Sequence, residues 1–304
     1  MNRPICIVGP TATGKSELAA DVAHEIGAEI VSADAFQLYR GLDLLTAKPD
    51  AATLAKAPHH LVGTISLTEE MNAEKFRRLS SCAINEINAR GRLAIVVGGS
   101  GLYIKALTHG LAPLPRPDPK LREQLNAMSL NDLGSQLSEL DPETAEKIDL
   151  KNRRRVVRAL EICLLTGEPV SAQRRRISAS HTEAATGVFV FRDRKELYER
   201  INKRVEAMFK DGVLDEVRAV GPISATASQM IGLREIRELL AGTKELPQCI
   251  AEIQQATRRY AKRQLTWFRQ QTNFALLNLS FLTQKEAVKW ISLRILSEVG
   301  TRDD

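Results

Sequence analysis

Cysteine is scarce and scattered. The four thiols, Cys6, Cys82, Cys163 and Cys249, lie far apart, and no pair has metal-ligand spacing. That argues against a zinc ribbon or a disulfide framework. It points to a reduced protein with an expected cytoplasmic location. Cys6, inside the first apolar run, reads as a core filler. No segment is long and apolar enough to cross a membrane, so no membrane partner is expected. The chain opens directly on a strand pattern, and no secretory leader is expected. His59 and His60 have no Cys or His partners at ligand spacing, which rules against a zinc site. One of them reads as core and the other as packing near a cleft. Charge is only mildly one-sided: 43 basic residues against 37 acidic ones give a net +6. Even so, the excess favours a polyanionic partner.

What is present begins at residue 9. The run Gly9-Pro10-Thr11-Ala12-Thr13-Gly14-Lys15-Ser16 follows the apolar segment 5–8 and precedes a helical pattern. This is Gly-x4-Gly-Lys-Ser in the strand–loop–helix context that the motif requires. Glycines let the loop curl so that its N–H groups face an anion, and the helix N-terminus adds donors and a favourable dipole. Lys15 brings a mobile positive charge, and Ser16 is placed to ligand Mg²⁺. The chain therefore binds a polyphosphate. An ATP hydrolase, a small-molecule kinase and a transferase expelling pyrophosphate all need this cradle.

Strands and helices alternate through the first hundred residues. Strands are expected at 3–8, 29–33 and 93–97, with helices following residue 14, over 73–89 and from about 102. That order predicts a parallel sheet covered on both faces. Four prolines between Pro113 and Pro119 then mark a stiff boundary. Residues 120–167 look helical, 173–186 polar and basic, and 187–191 a strand again. The expected fold is α/β, a P-loop NTPase-like core with a central parallel sheet flanked by helices. The core comprises 1–117 and 186–304, and a small all-helical insertion occupies 118–185. Further helices are expected at 195–220, 231–241, 248–269 and 283–298, with a strand at 274–278.

Asp34 stands at the carboxyl end of the second strand. It could contact Mg²⁺ through water, bind a substrate hydroxyl, take a proton, or simply cap a turn. The third strand ends in Gly98-Gly99-Ser100-Gly101 and not in an Asp. A conventional metal-holding carboxylate is thus missing, which counts against an ATP-driven motor. Lys151, Arg154, Arg155 and Arg158 share one helical stripe, and Val157, Leu160 and Leu164 another. Arg174-Arg175-Arg176 adds charge downstream. In the segment 254–269, Arg258, Lys262 and Arg269 share a face. Like charges at i, i+4 cost a few tenths of a kcal/mol per pair unless an anion relieves them. Trp267 and Phe268 could stack on bases, although helical spacing more often means core.

Together these motifs resemble the tRNA dimethylallyltransferase family. The matching pieces are Gly9–Ser16, Ser32-Ala-Asp-Ala-Phe-Gln-Leu-Tyr39, Thr46-Ala-Lys-Pro49, Pro58-His-His60 and Val97-Gly-Gly-Ser-Gly-Leu-Tyr103. Further on come Arg154-Arg-Val-Val-Arg-Ala-Leu-Glu161, Ile231-Gly-Leu-Arg-Glu235 and Lys262-Arg-Gln-Leu-Thr-Trp-Phe-Arg269. They occur in family order across nearly the whole chain.

The resemblance implies transfer of a dimethylallyl group from dimethylallyl diphosphate to N6 of adenosine 37. The acceptors would be tRNAs that read codons starting with U. The diphosphate would sit on Gly9 to Ser16 with Arg234, and Mg²⁺ on Ser16, with Asp34 a second contact through water. Lys15 would neutralise the leaving group. Asp34 would take the N6 proton, with Ser100 beside it. Gln37 would read the flipped adenine edge. Ala35, Phe36, Thr46, Lys48, Ser100 and Arg122 would contact tRNA near the reacting base. Arg154, Arg155, Val156, Val157 and Arg158 would hold the anticodon arm, and Arg258, Lys262 and Arg263 would add tRNA contacts. Three departures stand out: Ser100 replaces a usual Thr, Leu233 a common Tyr, and Ala35 a frequent Ser. The lack of a C-terminal zinc finger implies a bacterial form, expected as a monomer. The alternatives are isoprenyl transfer to a free adenine nucleotide and a P-loop small-molecule kinase.

Overall fold

Short runs rich in Ile and Val form six strands in the computed structural model, which describes residues 4–111, 114–178 and 186–300. Pro113 and residues 179–185 lie outside those described, as do the side chains of Arg174 and Arg176. The chain divides into two compact units, 1–108 with 184–304, and 109–183.

The larger unit begins with β1 (Ile5–Val8), α1 (Lys15–Ile26), β2 (Glu29–Ser32), α2 (Ala51–Lys56), β3 (His59–His60), α3 (Ala73–Ala89), β4 (Ala94–Gly98) and α4 (Gly101–His109). The smaller unit holds α5 (Pro119–Ala127), α6 (Leu130–Leu140), α7 (Pro142–Lys147), α8 (Arg153–Thr166) and α9 (Val170–Ser178). The larger unit then resumes with β5 (Gly187–Phe191), α10 (Arg194–Lys210), α11 (Val213–Arg218), α12 (Leu233–Leu240), α13 (Leu246–Gln271), β6 (Ala275–Asn278) and α14 (Gln284–Gly300).

The sheet order is β3-β2-β4-β1-β5-β6, and every pair is parallel. Parallel neighbours require crossovers, which the helices supply. Alternation along each strand feeds two cores. Ile5 and Ile7 face α1 and α14, while Cys6 and Val8 join the core of Phe76, Leu233, Ile253 and Phe268. Cys6 is wholly buried, and burial pushes its thiol up to about 12. The register sets Val8 beside both Gly98 and Phe189, so β1 and β4 end level with one another and β5 runs two residues further. That is where an open parallel sheet assembles a site.

The segment between β2 and β3 contains α2, whose start is capped by Asp50 Oδ1 accepting from Thr53 N–H at 2.8 Å. Two local expectations change. The helix expected at 195–220 is two, α10 and α11. Residues 170–178 continue as helix where a polar segment was expected from 173. Neither histidine joins a cleft. His60 Nε2 lies 2.7 Å from Glu29 Oε2, at the starting end of β2, and His59 Nδ1 lies 2.7 Å from the Ala57 carbonyl. Burial holds the His59 imidazole below its usual pKa.

The helical unit packs around Leu125, Leu133, Leu137, Val156 and Leu160. Within this core sits Glu161, a carboxylate with no exposed surface. Arg122 Nε donates to it at 2.9 Å, Arg158 Nη1 at 2.5 Å, and the Asp118 N–H at 2.9 Å. Arg158 also donates to the Pro115 carbonyl at 2.7 Å, which fastens the entering chain to α8. Burial alone would raise the Glu161 pKa, but the two arginines and the Asp118 N–H outweigh it and hold it below the usual carboxylate value.

Because its partners are partly exposed, Glu161→Gln is expected to cost the helical unit about 2 kcal/mol, read as faster amide exchange in α5 and α8. A depressed folded pKa makes this contribution present above the unfolded value of 4.5 and lost as pH falls through the folded one. Unchanged exchange at neutral pH would contradict the clamp.

Candidate active site

The loop after β1 is held in shape from several sides. Gly14 has φ 92°, a left-handed conformation that turns the chain into α1. Ala12 also has positive φ, 66°, at a cost of about 1–2 kcal/mol for a residue with a side chain. Its carbonyl accepts from Arg200 Nε at 2.8 Å. Thr13 Oγ1 donates to the Pro10 carbonyl at 2.9 Å, and Gly9 N–H to Gly98 at 3.2 Å. Arg192 Nε reaches the Thr13 carbonyl at 2.9 Å, and Arg204 Nη1 the Thr11 hydroxyl at 2.8 Å. Ser16 lies in the first turn of α1 beside Lys15.

Lys15 is buried, and among the described residues its ammonium has only a long 3.5 Å contact to the Pro10 carbonyl. Burial lowers its pKa to about 8; the Asp34 charge opposes this and Arg204 adds to it. The Nε of Arg204 is buried without a hydrogen-bond partner among the described residues. Burial likewise lowers the Arg204 pKa, and only Asp34 opposes it. A buried cation and an orphaned N–H side by side are the signature of a missing anion.

Asp34 lies two residues beyond the end of β2 and faces this group. Its Oδ1 accepts from the N–H groups of Phe36 at 3.0 Å and Gln37 at 3.3 Å, so it does cap its own turn. Both bonds fall on one oxygen, leaving Oδ2 to the cleft. The Ala35 N–H donates to Ser100 Oγ at 2.9 Å, which locks the Asp34 turn to the end of β4. From α13, the buried Gln264 accepts from Thr11 N–H and donates to the Gly99 carbonyl, both at 2.9 Å. The approach is close: a Cβ on Gly99 would lie 2.2 Å from Gln264 Nε2. Tyr260, one turn earlier, has its hydroxyl pKa raised by burial first and by Asp34 second. Thr11, Asp34, Arg204 and Tyr260 border a cavity of about 60 Å³ whose remaining wall is mainly apolar.

The structure thus gathers Gly9 to Ser16, Asp34, Ala35, Phe36 and Ser100 in one place. It corrects other expectations. Val156 and Val157 fill the helical core and present no side chain to a partner. Arg122 and Arg158 are committed to Glu161, whereas Arg154 and Arg155 are exposed. Gln37 Nε2 donates to the carbonyls of Ala47 at 2.8 Å and Thr46 at 3.4 Å, so only its oxygen remains for a base edge. Lys48 Nζ is tied to Asp43 and the Gly41 carbonyl, its side chain 7% exposed, and Thr46 Oγ1 donates to Leu42. Arg234 is exposed and paired with Glu235 and Glu238. Arg258 donates to Asn202 at 2.6 Å; Lys262 and Arg263 are exposed. Phe268 is core, stacked on Phe189, and Trp267 covers Gly101.

Arg192, Arg200, Arg204, Tyr260 and Gln264 went unassigned in the sequence. A signal existed for two of them. Arg200 and Arg204 are like charges at i, i+4, the same unrelieved pairing noted for the 254–269 segment.

Among the described residues no cluster of His, Cys, Asp or Glu could hold a metal alone. One hydroxyl and one carboxylate, Ser16 and Asp34, suit a hard cation that takes its other ligands from phosphate and water.

Comparison with known proteins agrees with this geometry. The family model for IPP transferase matches residues 37–271. A tRNA dimethylallyltransferase 1 from Citrifermentans bemidjiense is 46% identical over 87% of this chain and 88% of its own length. A tRNA dimethylallyltransferase from Akkermansia muciniphila is 41% identical over 97% of this chain and 98% of its own. The full-length tRNA isopentenylpyrophosphate transferase from Bacillus halodurans superposes with TM-score 0.72 and 34% identity, covering 100% of this chain and 98% of that one. A eukaryotic dimethylallyltransferase acting on tRNA superposes with TM-score 0.83 and 25% identity, covering 98% of this chain and 80% of that one.

An anion beside Lys15 restores its charged form. Inorganic pyrophosphate is therefore expected to bind with proton uptake as pH rises through about 8, and with falling affinity above it. Calorimetry in two buffers of different ionisation enthalpy measures that proton, and Lys15→Met removes it. Equal uptake by both proteins would assign the proton elsewhere.

Proposed function

Since the chain belongs to the IPP transferase family, we propose that it transfers the dimethylallyl group of dimethylallyl diphosphate to N6 of adenosine 37 in tRNA. The tRNAs are those reading codons that start with U. The observation that carries this reading is the meeting of an anion-starved pair, Lys15 and Arg204, with one carboxylate, Asp34, at an apolar cavity.

The diphosphate lies on the 9–16 loop, where Lys15 and Arg204 offset its charge and stabilise the pyrophosphate as it leaves. Ser16, with Asp34 through water, would hold Mg²⁺, which when bound would add positive charge against the diphosphate. The N6 lone pair is delocalised into the adenine ring, so the amine is a weak nucleophile. Asp34 Oδ2 accepts its hydrogen bond and then its proton. Oδ1, held by the Phe36 and Gln37 N–H groups, keeps the carboxylate aimed. Ser100 fixes the same turn from β4 and acts through Asp34.

Gln37 accepts from the base edge through Oε1, while its amide N–H groups stay on the Thr46–Ala47 loop. Acceptor tRNA is supported by the helical unit, whose exposed Lys151, Arg154 and Arg155 suit the anticodon-arm phosphates. Lys262 and Arg263 on α13 add phosphate contacts. A free nucleotide would need none of these. The protein acts as a cytoplasmic monomer, and no helix among the described residues is long and apolar enough to cross a membrane.

With Mg²⁺ and labelled dimethylallyl diphosphate, label is expected in unmodified tRNA carrying A36-A37 and not in AMP. Label in AMP alone, or phosphate transfer from ATP instead, would sink the reading. Asp34→Asn keeps the turn acceptor but not the base. It is expected to lower kcat by about 10²–10⁴ while tRNA affinity stays near wild type. Lost affinity with kcat intact would show that Asp34 binds and does not catalyse.

A further inference from the structure

The cavity beside Asp34 has a polar end and an apolar end, and two helices set its direction. On α10, Arg204 touches the phosphate loop, while Val205 and Met208 follow on the next turn away from it. On α13, Tyr260 lies near Asp34 and Ser100, and Thr257 and Ile253 recede from it on the same stripe, about 10 Å along the axis. The helices run antiparallel: Asn202 meets Arg258 at 2.6 Å, and Glu206 meets Gln254 at 3.3 Å. Both therefore lead from charged groups to thioether and hydrocarbon. A chain attached to a diphosphate on the loop points down this gradient.

The far wall is firm. Met208, Met230 and Ile253 are 7%, 3% and 2% exposed. Leu45 and Ile231 complete this apolar end. The cavity measures about 60 Å³, a small space that suits a short hydrocarbon tail.

Building on the function proposed above, we propose that Met208, Met230 and Ile253 gauge the length of the isoprenoid, admitting one five-carbon unit and excluding ten carbons. The chemistry does not depend on the tail. The N6 lone pair forms the N6–C1 bond, the C1–O bond breaks with its electrons leaving on pyrophosphate, and one N6 proton passes to Asp34. Selection therefore rests on the wall, where overfilling a packed site is unfavourable.

The test measures kcat/KM for dimethylallyl and geranyl diphosphate on unmodified tRNA, with product nucleosides identified by mass. Wild type, Met230→Ala and the double variant Met208→Ala/Met230→Ala are compared. The geranyl-to-dimethylallyl ratio is expected to rise at least about tenfold in the single variant and further in the double. If a variant turns over neither donor, calorimetric affinities for the two diphosphates give the same ratio. An unchanged ratio with dimethylallyl transfer retained overturns the gauge alone. So does a raised KM for tRNA without a donor effect, since the cavity would then hold the base. A wild type that prenylates no tRNA overturns the proposed function instead.

Discussion

The side chain of Gln264 joins the three parts on which the site depends. An amide carries one acceptor and one donor group, and here each meets a backbone partner: the Thr11 N–H of the phosphate loop and the Gly99 carbonyl at the end of β4. Through these bonds α13 is fastened to two neighbouring strand ends at once. The rest follows from that closure. With α13 so placed, Tyr260 stands over Ser100 and Asp34, Trp267 covers Gly101, and Phe268 stacks on Phe189 of β5. The glycines between β4 and α4 are there because the amide and the indole occupy the space that side chains would take. A shorter residue at 264 would leave two loop groups unpaired in a region closed to water.

Electrostatics around the loop are unbalanced on purpose. Arg192, Arg200 and Arg204 tie up groups whose orientation shapes the cradle, but they bring three positive charges to a region that already holds Lys15. Asp34 is the carboxylate that opposes the Lys15 and Arg204 shifts, and it is too little to satisfy both. Such a site carries a desolvation cost that a bound anion would relieve. The same carboxylate borders the cavity, so the group that steadies the cations also faces that space.

The helical unit uses charge differently. Glu161 is neutralised inside by Arg122 and Arg158, which closes the entering chain onto α8. The cations left at the surface, Lys151, Arg154 and Arg155, are exposed and have no such internal partner among the described residues. One helix thereby splits its arginines between holding the unit together and facing solvent, and side-chain type alone does not separate the two classes.

Sequence by itself determined the phosphate loop, the strand–helix alternation, the helical insertion and Asp34 at a strand end. These are local: a glycine pattern, a run of β-branched residues or a periodicity is complete within a dozen neighbours. The ordered set of motifs also determined the family. Tertiary structure alone decided which polar groups meet. Arg200, Arg204 and Gln264 lie about 190 or more residues from the loop they hold, a span no local pattern encodes. Burial likewise turned Val156, Val157, Arg158 and Lys48 from expected tRNA contacts into core and clamps. A charge stripe specifies a helix face; whether that face meets solvent or a buried carboxylate depends on what packs against it, and only the folded chain supplies that neighbour.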